Sequence, residues 1–380
     1  MPGRQDVIAF ADHRVDIGRL IESGRHRRLS PRAGVDFASN DYLALASSER
    51  LRAAVRSAID RGVAIGSGGS RLLRGNDAEH ERLEAEAASF FEAESALFFG
   101  SGFAANAALL ASLPQSGDLV VHDALIHASA HDGMRLGRAV VREAAHNDPE
   151  AVEQAIGTWR QEGGRGTPWI AVESLYSMEG DRAPLASLVD VADRHDAMLL
   201  IDEAHATGVY GARGAGLAES LAGRSNVVTL HTCGKAMGCE GALVCGPAVV
   251  REFLVNRARG FIFSTAPSPL MAVAARESLT ILRDEPARRA ELARLVRAAE
   301  RTLGPCGVAA TGSQILTLVI GDDRSTMRAA ARVQAAGFDV RGIRPPTVPP
   351  GTARLRISIT LNAGIADIEA LAGVLPEALA

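Results

Sequence analysis

The sequence predicts an α/β protein with a mostly parallel sheet, helices on both faces of that sheet, and a smaller α/β domain at the C-terminus. Three observations lead there. Short apolar runs alternate with helical patterns through the middle of the chain, as in βαβ units. Those runs are apolar at consecutive positions, which suits strands buried on both faces. Beyond about residue 270 the pattern changes to two long helices, two apolar runs and a closing helix.

Residues 1–43 read as an arm, with a short helical stretch at 15–22, the basic patch Arg25-His26-Arg27-Arg28, and Val35-Asp36-Phe37-Ala38. A large domain is expected over 44–270. It opens with an amphipathic helix at 48–60 and the loop Gly66-Ser67-Gly68-Gly69-Ser70. Asp77 is placed to cap the next helix, which sets Leu83, Ala87 and Phe90 or Phe91 on one face. Strands are expected at 96–99, 119–122, 169–173, 197–201, 227–230 and 241–245, with a helix at 104–113. The small domain, 271–380, follows a helix at 269–284. It takes a second helix at 286–303 and strands at 313–320 and 354–360.

Apolar residues make up 47% of the 380 positions, and the net charge is −4. That composition is ordinary for a globular protein, and the length suits two or three sub-structures. Arginines are dispersed, so neither nucleic acid nor a membrane surface is expected as a partner. The polar stretch 1–10 lacks the apolar run of a signal peptide, and no stretch approaches a membrane span. Cys233, Cys239, Cys245 and Cys306 form no CxxC pair. Free thiols in a cytoplasmic protein are expected, and no metal site.

Of the 41 basic residues, one alone is lysine, Lys235. Arginine can replace lysine on a solvated surface and at most anion contacts. It cannot form a Schiff base, because its guanidinium stays protonated. On the count alone a chance remnant is an equal alternative. The neighbours weigh against it: His231-Thr232-Cys233-Gly234-Lys235-Ala236-Met237-Gly238 surrounds the amine with small residues and a hydroxyl. Such a loop suits a phosphorylated cofactor.

Other strings end strands with polar groups. Phe99-Gly100-Ser101-Gly102-Phe103 precedes a helix, whose first amides can hold a phosphate. A short glycine loop is weak evidence by itself, and this one lacks the P-loop lysine and the full dinucleotide fingerprint. Ile201-Asp202-Glu203-Ala204-His205 puts Asp202 at the carboxyl end of a buried strand, where ligands of open α/β sheets bind. A carboxylate there needs a cation, and a pyridinium nitrogen would serve. A capping aspartate followed by a surface histidine fits the same string. His127 can be a solvated loop residue or can stack on a cofactor ring. Ser177, in Glu173-Ser174-Leu175-Tyr176-Ser177-Met178-Glu179-Gly180-Asp181, offers a hydroxyl after another strand.

Taken in order, Asn40-Asp41-Tyr42-Leu43, Gly68-Gly69-Ser70, Ser101-Gly102-Phe103-Ala104-Ala105-Asn106, His127-Ala128-Ser129, 177–181, Asp202-Glu203-Ala204-His205 and 232–235 resemble the α-oxoamine synthases. These are fold-type I pyridoxal-phosphate transferases that join an amino acid to an acyl thioester with loss of carbon dioxide. The resemblance runs from about residue 35 to the end. It implies pyridoxal 5'-phosphate as cofactor, amino-acid and acyl-thioester substrates, and a homodimer. Lys235 would carry the cofactor as a Schiff base and later move protons at Cα. Asp202 would pair with the pyridine nitrogen, His127 would stack on the ring, and His205 and Ser177 would bond its phenolic oxygen. Ser101, Gly102, Phe103 and Thr232 would hold the phosphate, helped across a dimer interface by Ser264 or Thr265. Asn40 and Arg356 would hold the amino-acid carboxylate.

Within the family, Arg344-Pro345-Pro346-Thr347-Val348-Pro349-Pro350-Gly351-Thr352-Ala353-Arg354-Leu355-Arg356 most resembles the branch that joins L-alanine to a pimeloyl thioester. Ser70 stands where glycine-using members tend to have threonine, which leaves room for a Cα methyl. One of Arg25, Arg27 and Arg28 would meet the distal acyl carboxylate. Two residues depart from the family pattern: Ala206 replaces the usual glycine after the Asp-Glu-Ala-His string, and Glu240 replaces a small or hydroxyl residue. Other branches stay open, namely 5-aminolevulinate synthase, 2-amino-3-oxobutyrate CoA ligase and serine palmitoyltransferase. The retained Lys235 argues against a dead binding subunit, and the missing phosphate lysine and Mg²⁺ ligands argue against a nucleotide-binding module.

Overall fold

The computed structural model describes residues 10–380; the first nine positions of the expected arm lie outside the described residues. Helix α1 (Ala11–Glu22) buries none of its side chains. Strand β1 (Val35–Asp36) follows, then α2 (Glu49–Asp60) and α3 (Ala78–Phe90). The Asp77 carboxylate accepts from the Glu79 amide at 2.8 Å, and the His80 ring returns a bond to the Asp77 amide. This reciprocal cap starts α3 where the sequence places it. Leu83, Ala87 and Phe91 then pack into the core.

Seven strands form the central sheet: β2 (Ser95–Phe99), β3 (Leu119–Asp123), β4 (Val140–Ala144), β5 (Pro168–Glu173), β6 (Met198–Asp202), β7 (Val227–Thr232) and β8 (Ala242–Gly246). Their spatial order is β2-β8-β7-β6-β5-β3-β4. From β7 to β4 every pair is parallel; β8 runs antiparallel to both of its neighbours. Between the strands come α4 (Gly102–Ser112), α5 (Ala128–Leu136), α6 (Pro149–Gln161) and α7 (Leu185–Arg194), with α8 (Ala248–Arg257) and α9 (Arg259–Ile262) after β8.

Both faces of this sheet are covered. In β6, Leu200 joins the core under α4, α5 and α8, whereas Leu199 and Ile201 join the core under α6 and α7. Each buried Leu or Ile contributes about 1.5–3 kcal/mol, so consecutive strand positions are all apolar. Strand β4 has no counterpart in the sequence prediction. It lies at the sheet edge with mostly exposed side chains, so Arg142 and Glu143 interrupt its apolar pattern. Helix α4 begins at Gly102, two residues before the predicted start. The Ser101 hydroxyl accepts from the Ala104 amide at 3.1 Å and sets that boundary.

Helix α10 (Pro269–Asp284) packs along α2 and α3. The chain continues through α11 (Ala287–Leu303), β9 (Ile315–Gly321), α12 (Asp323–Ala335), β10 (Phe338–Asp339), β11 (Arg341–Ile343), β12 (Ala353–Ser358) and α13 (Ile365–Leu379). Strands β11, β12 and β9 make an antiparallel sheet in that order. The sequence reading contains β9 and β12 but not the elements between them. β10 and β11 span two and three residues, too few for a period. The buried stripe of α12 is Thr326, Ala329, Ala330 and Val333, which is small rather than strongly apolar.

The N-terminal segment is sewn onto this second sheet. β1 pairs in parallel with β10, Val35 opposite Phe338. The Ser358 amide donates to Phe37 O at 2.8 Å and the Leu361 amide to Tyr42 O at 3.0 Å. Residues from both ends of the chain therefore meet at the carboxyl edge of the central sheet.

Gly180 marks the contact between the loop after β5 and the second sheet. It sits at φ +75°, and a Cβ there would collide with the Ile315 carbonyl. Gly180→Ala should lower stability by about 1–3 kcal/mol through backbone strain alone, with the collision adding to it. Urea unfolding measures this; an unchanged midpoint would count against the close approach.

Candidate active site

Lys235 lies in the connection between β7 and β8. That loop is closed by Cys233 N to Gly241 O at 2.9 Å, Cys239 N to Cys233 O at 2.9 Å and Gly238 N to Lys235 O at 2.8 Å. The amine is held in a pocket with Asn40, His127, Ser177, His205 and Arg356. Burial pushes its pKa down to about 8, although the Asp202 and Glu173 carboxyls pull the other way.

Lys235 Nζ lies 2.7 Å from His205 Nε2. His205 is buried, and burial first, then the charges of Lys235 and Arg356, push its pKa well below the usual histidine range. The ring is therefore neutral and carries one proton. A protonated amine can only donate, so Nε2 accepts and the proton sits on Nδ1. Nδ1 then donates to the Tyr42 hydroxyl at 2.7 Å, and Tyr42 donates to Asn40 Oδ1 at 3.0 Å. Burial raises the Tyr42 pKa, so the hydroxyl keeps its proton. The Gln314 amide holds His205 from behind, Nε2 to the backbone O at 2.8 Å.

Arg356, on β12, ends this chain. Its Nη2 donates to Asn40 Oδ1 at 3.0 Å, its Nε to Ser177 O at 2.7 Å and its Nη1 to Ser358 Oγ at 2.7 Å. The residue is 6% exposed, yet among the described residues no carboxylate forms an ion pair with it. Asn40 Oδ1 is occupied twice, which leaves Asn40 Nδ2 as a donor toward the pocket.

Asp202 ends β6, where the sequence predicts it. It is 8% exposed, accepts from Asn106 Nδ2 at 2.6 Å and from the Ala204 amide at 2.9 Å, and has no basic partner at salt-bridge distance among the described residues. No helix starts behind it and His205 is buried, so the capping alternative is excluded. Glu173 faces Asp202 in the β5–β6 register. It is buried, one oxygen lacks a partner, and burial followed by the Asp202 charge raises its pKa well above the carboxyl range.

The remaining expected residues divide into two groups. Thr232 ends β7 and touches the start of α4: a Cβ on Gly102 would meet its Oγ1 at 3.3 Å. Phe103 is exposed beside His127, ring centroids 6.4 Å apart and nearly perpendicular. His127 is exposed at the pocket and caps α5. Ser101 spends its hydroxyl on the α4 cap. By contrast, the structure does not bring Ser70, Ser264 or Thr265 to this pocket. The loop at 66–70 binds the segment after α9 instead, with Ala266 N to Gly69 O at 2.9 Å and Ser67 Oγ to Pro267 O at 2.6 Å. Ser264 and Thr265 are exposed on that surface.

The sequence reading missed Tyr42, Asn106, Glu173 and Gln314 as site residues. Tyr42 and Asn106 stood inside recognised strings, but nothing local marked them: their partners are 163 and 96 residues away.

The family Aminotransferase class I and II matches residues 32–374. The chain belongs to that family. An 8-amino-7-oxononanoate synthase from Anaeromyxobacter dehalogenans (strain 2CP-1) is 43% identical over 353 residues, 91% of this chain and 87% of that protein. A serine palmitoyltransferase structure holding pyridoxal phosphate matches with a TM-score of 0.88 at 26% identity over 97% of both chains. The 8-amino-7-oxononanoate synthase from Francisella tularensis matches with a TM-score of 0.76 at 27% identity, covering 90% of this chain and 97% of that one. Within the family, the chain is a fold-type I α-oxoamine synthase, and its cofactor is pyridoxal 5'-phosphate.

The residues present fit that cofactor. A buried Asp202 without a cationic partner is costly, and a protonated ring nitrogen would neutralise it. The amides of Gly102 and Phe103 begin α4 without intrahelical acceptors, as an anion site requires. Among the described residues no cluster of His, Cys, Asp or Glu is arranged to hold a metal ion. The two departures from the family pattern are accommodated. Ala206 is fully buried in the core, and Glu240 is exposed.

Lys235→Arg keeps the charge but removes the nucleophilic amine. The variant should lose the visible absorbance of covalently held cofactor and all turnover. A neutral amine is needed to capture the cofactor aldehyde, and Lys235 deprotonates near pH 8. The rate of cofactor uptake by the apoprotein should therefore rise with pH through about 8 and then level off. A flat profile from pH 6 to about 10 would contradict the lowered pKa.

Proposed function

We propose that this chain joins L-alanine to a pimeloyl thioester, on CoA or a carrier protein, releasing carbon dioxide and forming 8-amino-7-oxononanoate for biotin synthesis. The observation that carries the reading is Arg356, a buried guanidinium with only neutral acceptors, set beside the Lys235 amine. An amino-acid carboxylate bound by Arg356 and Asn40 Nδ2 would satisfy that charge and present its Cα to Lys235. Relatives at 43% and 39% identity that bear the 8-amino-7-oxononanoate synthase name support the choice of substrates.

The cofactor, when bound, draws electrons from Cα and so eases loss of its proton. The chain's own groups do the rest. Lys235 Nζ holds the cofactor and then moves the Cα proton. His205 Nε2 accepts from the free Nζ and keeps it aimed; once the cofactor occupies Nζ, His205 and Ser177 would bond its phenolic oxygen. Asp202 holds the proton on the ring nitrogen. His127 covers the ring face. Thr232 and the α4 amides of Gly102 and Phe103, beside Ser101, take the phosphate.

The acyl donor is read from a basic cluster beside the pocket. Arg344 is 7% exposed with one unpartnered nitrogen, and burial and the charges of Arg27 and Arg25 lower its pKa. Its backbone neighbour Ile343 lines the pocket. Arg25 is held by Asp323 at 2.8 Å. A distal carboxylate at this cluster would relieve the crowded positive charge.

The unit is a homodimer in this reading. Ile65, Leu72, Leu73, Phe103 and Phe263 are exposed around the surface that carries Ser70, Ser264 and Thr265. An exposed apolar group of this kind suits a self-complementary interface, across which Ser264 or Thr265 would reach a phosphate and Ser70 a substrate. No described helix is long and apolar enough to cross a membrane, and four free cysteines suit the cytoplasm.

A turnover screen tests the substrates. Alanine with pimeloyl-CoA should exceed glycine with succinyl-CoA or acetyl-CoA, and serine with palmitoyl-CoA, in kcat/KM. With pimeloyl-CoA held fixed, glycine should lag alanine modestly, since one methyl is worth about 1–3 kcal/mol. Heptanoyl-CoA, which lacks the distal carboxylate, should perform worse than pimeloyl-CoA. Arg356→Ala should lower kcat/KM for alanine roughly 10- to 160-fold, the equivalent of about 1.5–3 kcal/mol for hydrogen bonds to a charged group. A fully active monomer in sedimentation at assay concentration would refute the dimer.

A further inference from the structure

One charged cluster lies outside the pocket yet is built into two of the loops that form it. Asp123 is the last residue of β3, in the loop that carries His127. Asp181 lies in the loop after β5 that carries Ser177. The His146 ring sits between them, with Nδ1 2.8 Å from Asp123 Oδ1 and Nε2 2.8 Å from Asp181 Oδ2. Asn147 repeats the bridge: its amide donates to Asp123 Oδ2 at 2.8 Å and its Nδ2 to Asp181 Oδ2 at 2.8 Å.

Both loops are stiff between the clamp and the pocket. Asp123 Oδ1 also accepts from the Leu125 amide at 2.8 Å, and Asp123 O from Ile126 N at 3.1 Å, the residue before His127. Tyr176 N donates to Asp181 O at 2.9 Å and Leu175 bridges to Arg182, so 175–182 is a closed hairpin with Ser177 in its turn. The Tyr176 ring stands edge-on to His146 at 4.5 Å. A shift of His146 would therefore move both loops.

We propose that His146 is a positioning residue that locks the His127 loop to the Ser177 loop and so sets the angle of the bound cofactor ring. This rests on the reading that His127 and Ser177 touch the cofactor. Both ring nitrogens face carboxylates, so the clamp needs the imidazolium. Burial opposes that form, but the two carboxylates outweigh it and raise the pKa to about 10. Stability alone is a poor account of the cluster. Buried ion networks roughly break even against apolar packing, and Asn147 Oδ1, Asp181 Oδ1 and Tyr176 OH are buried without partners. What the cluster supplies is a fixed geometry between two loops.

The test uses the cofactor-loaded enzyme and its His146→Ala, His146→Gln and Asp181→Asn variants. Readouts are the visible circular dichroism of the bound cofactor, the kcat and KM for alanine, and the thermal midpoint. A tilted ring changes the dichroism band whatever the substrate. For His146→Ala, kcat should fall roughly 10- to 100-fold, while KM moves less than about threefold, since Arg356 and Asn40 are untouched. His146→Gln restores one of the two donors and should recover part of both losses. Unchanged dichroism and kcat with a lowered thermal midpoint would make the clamp merely structural and overturn the proposal. If His146→Ala does not fold, the other two variants decide on the same readouts. Altered dichroism in an enzyme that does not use alanine would support the clamp and sink the substrate assignment alone.

Discussion

An amine set in a pocket among buried groups must send its hydrogen bond somewhere, and in this protein the answer organises the site. Lys235 Nζ donates to His205 Nε2, which commits the neutral ring to one tautomer. That tautomer fixes the direction of the next two bonds, through Tyr42 to Asn40. Asn40 can then only accept from Arg356. Reversing any one of these bonds would leave a buried donor facing a donor, at a penalty of about 1–3 kcal/mol. The bonds therefore converge on Asn40 Oδ1 from a cation at each end, with neutral groups between. Such a row rigidifies a site because each member restricts the next.

The row also explains the architecture around it. Lys235 comes from the β7–β8 loop, His205 from the loop after β6, Tyr42 and Asn40 from the N-terminal segment, and Arg356 from β12. No single sheet could supply all four sources. The Ser358 amide, bonded to Phe37 O, ties the N-terminal segment to the end of β12, and the glycine at position 180 lets the β5 loop lie against β9. Asp202 completes the charge balance from the neighbouring strand end. Burial, then the Asp202 charge, push the Glu173 pKa well above the carboxyl range, which favours the neutral form of one of the two adjacent carboxyls.

Much of this was legible in the sequence because it is local. The apolar runs of β5 to β8, the Asp77 cap, the strand-end position of Asp202 and the place of Ser177 in the loop after β5 depend on neighbours within a few residues. Lys235 was legible from its rarity. What escaped depends on distant partners or on exposure. Tyr42 looks like an ordinary aromatic until His205 is beside it. β4 is an edge strand, so burial does not purify its pattern, and the start of α4 moved because the Ser101 cap outranks the apolar period. Ser70, Ser264 and Thr265 belong to one exposed surface, joined by backbone bonds at Gly69 and Ala266. That a distant glycine loop pairs with this segment is a tertiary fact that no spacing encodes.

The pairing of Asn40 with Arg356 spans 316 positions, nearly the whole chain. Synthesis makes the first partner long before the second. Every strand of the central sheet, and Lys235 with them, precedes β12 in the chain. Tyr42 and Asn40 therefore have no Arg356 to meet until the other members of the polar row have been made, and the row is completed from its Arg356 end.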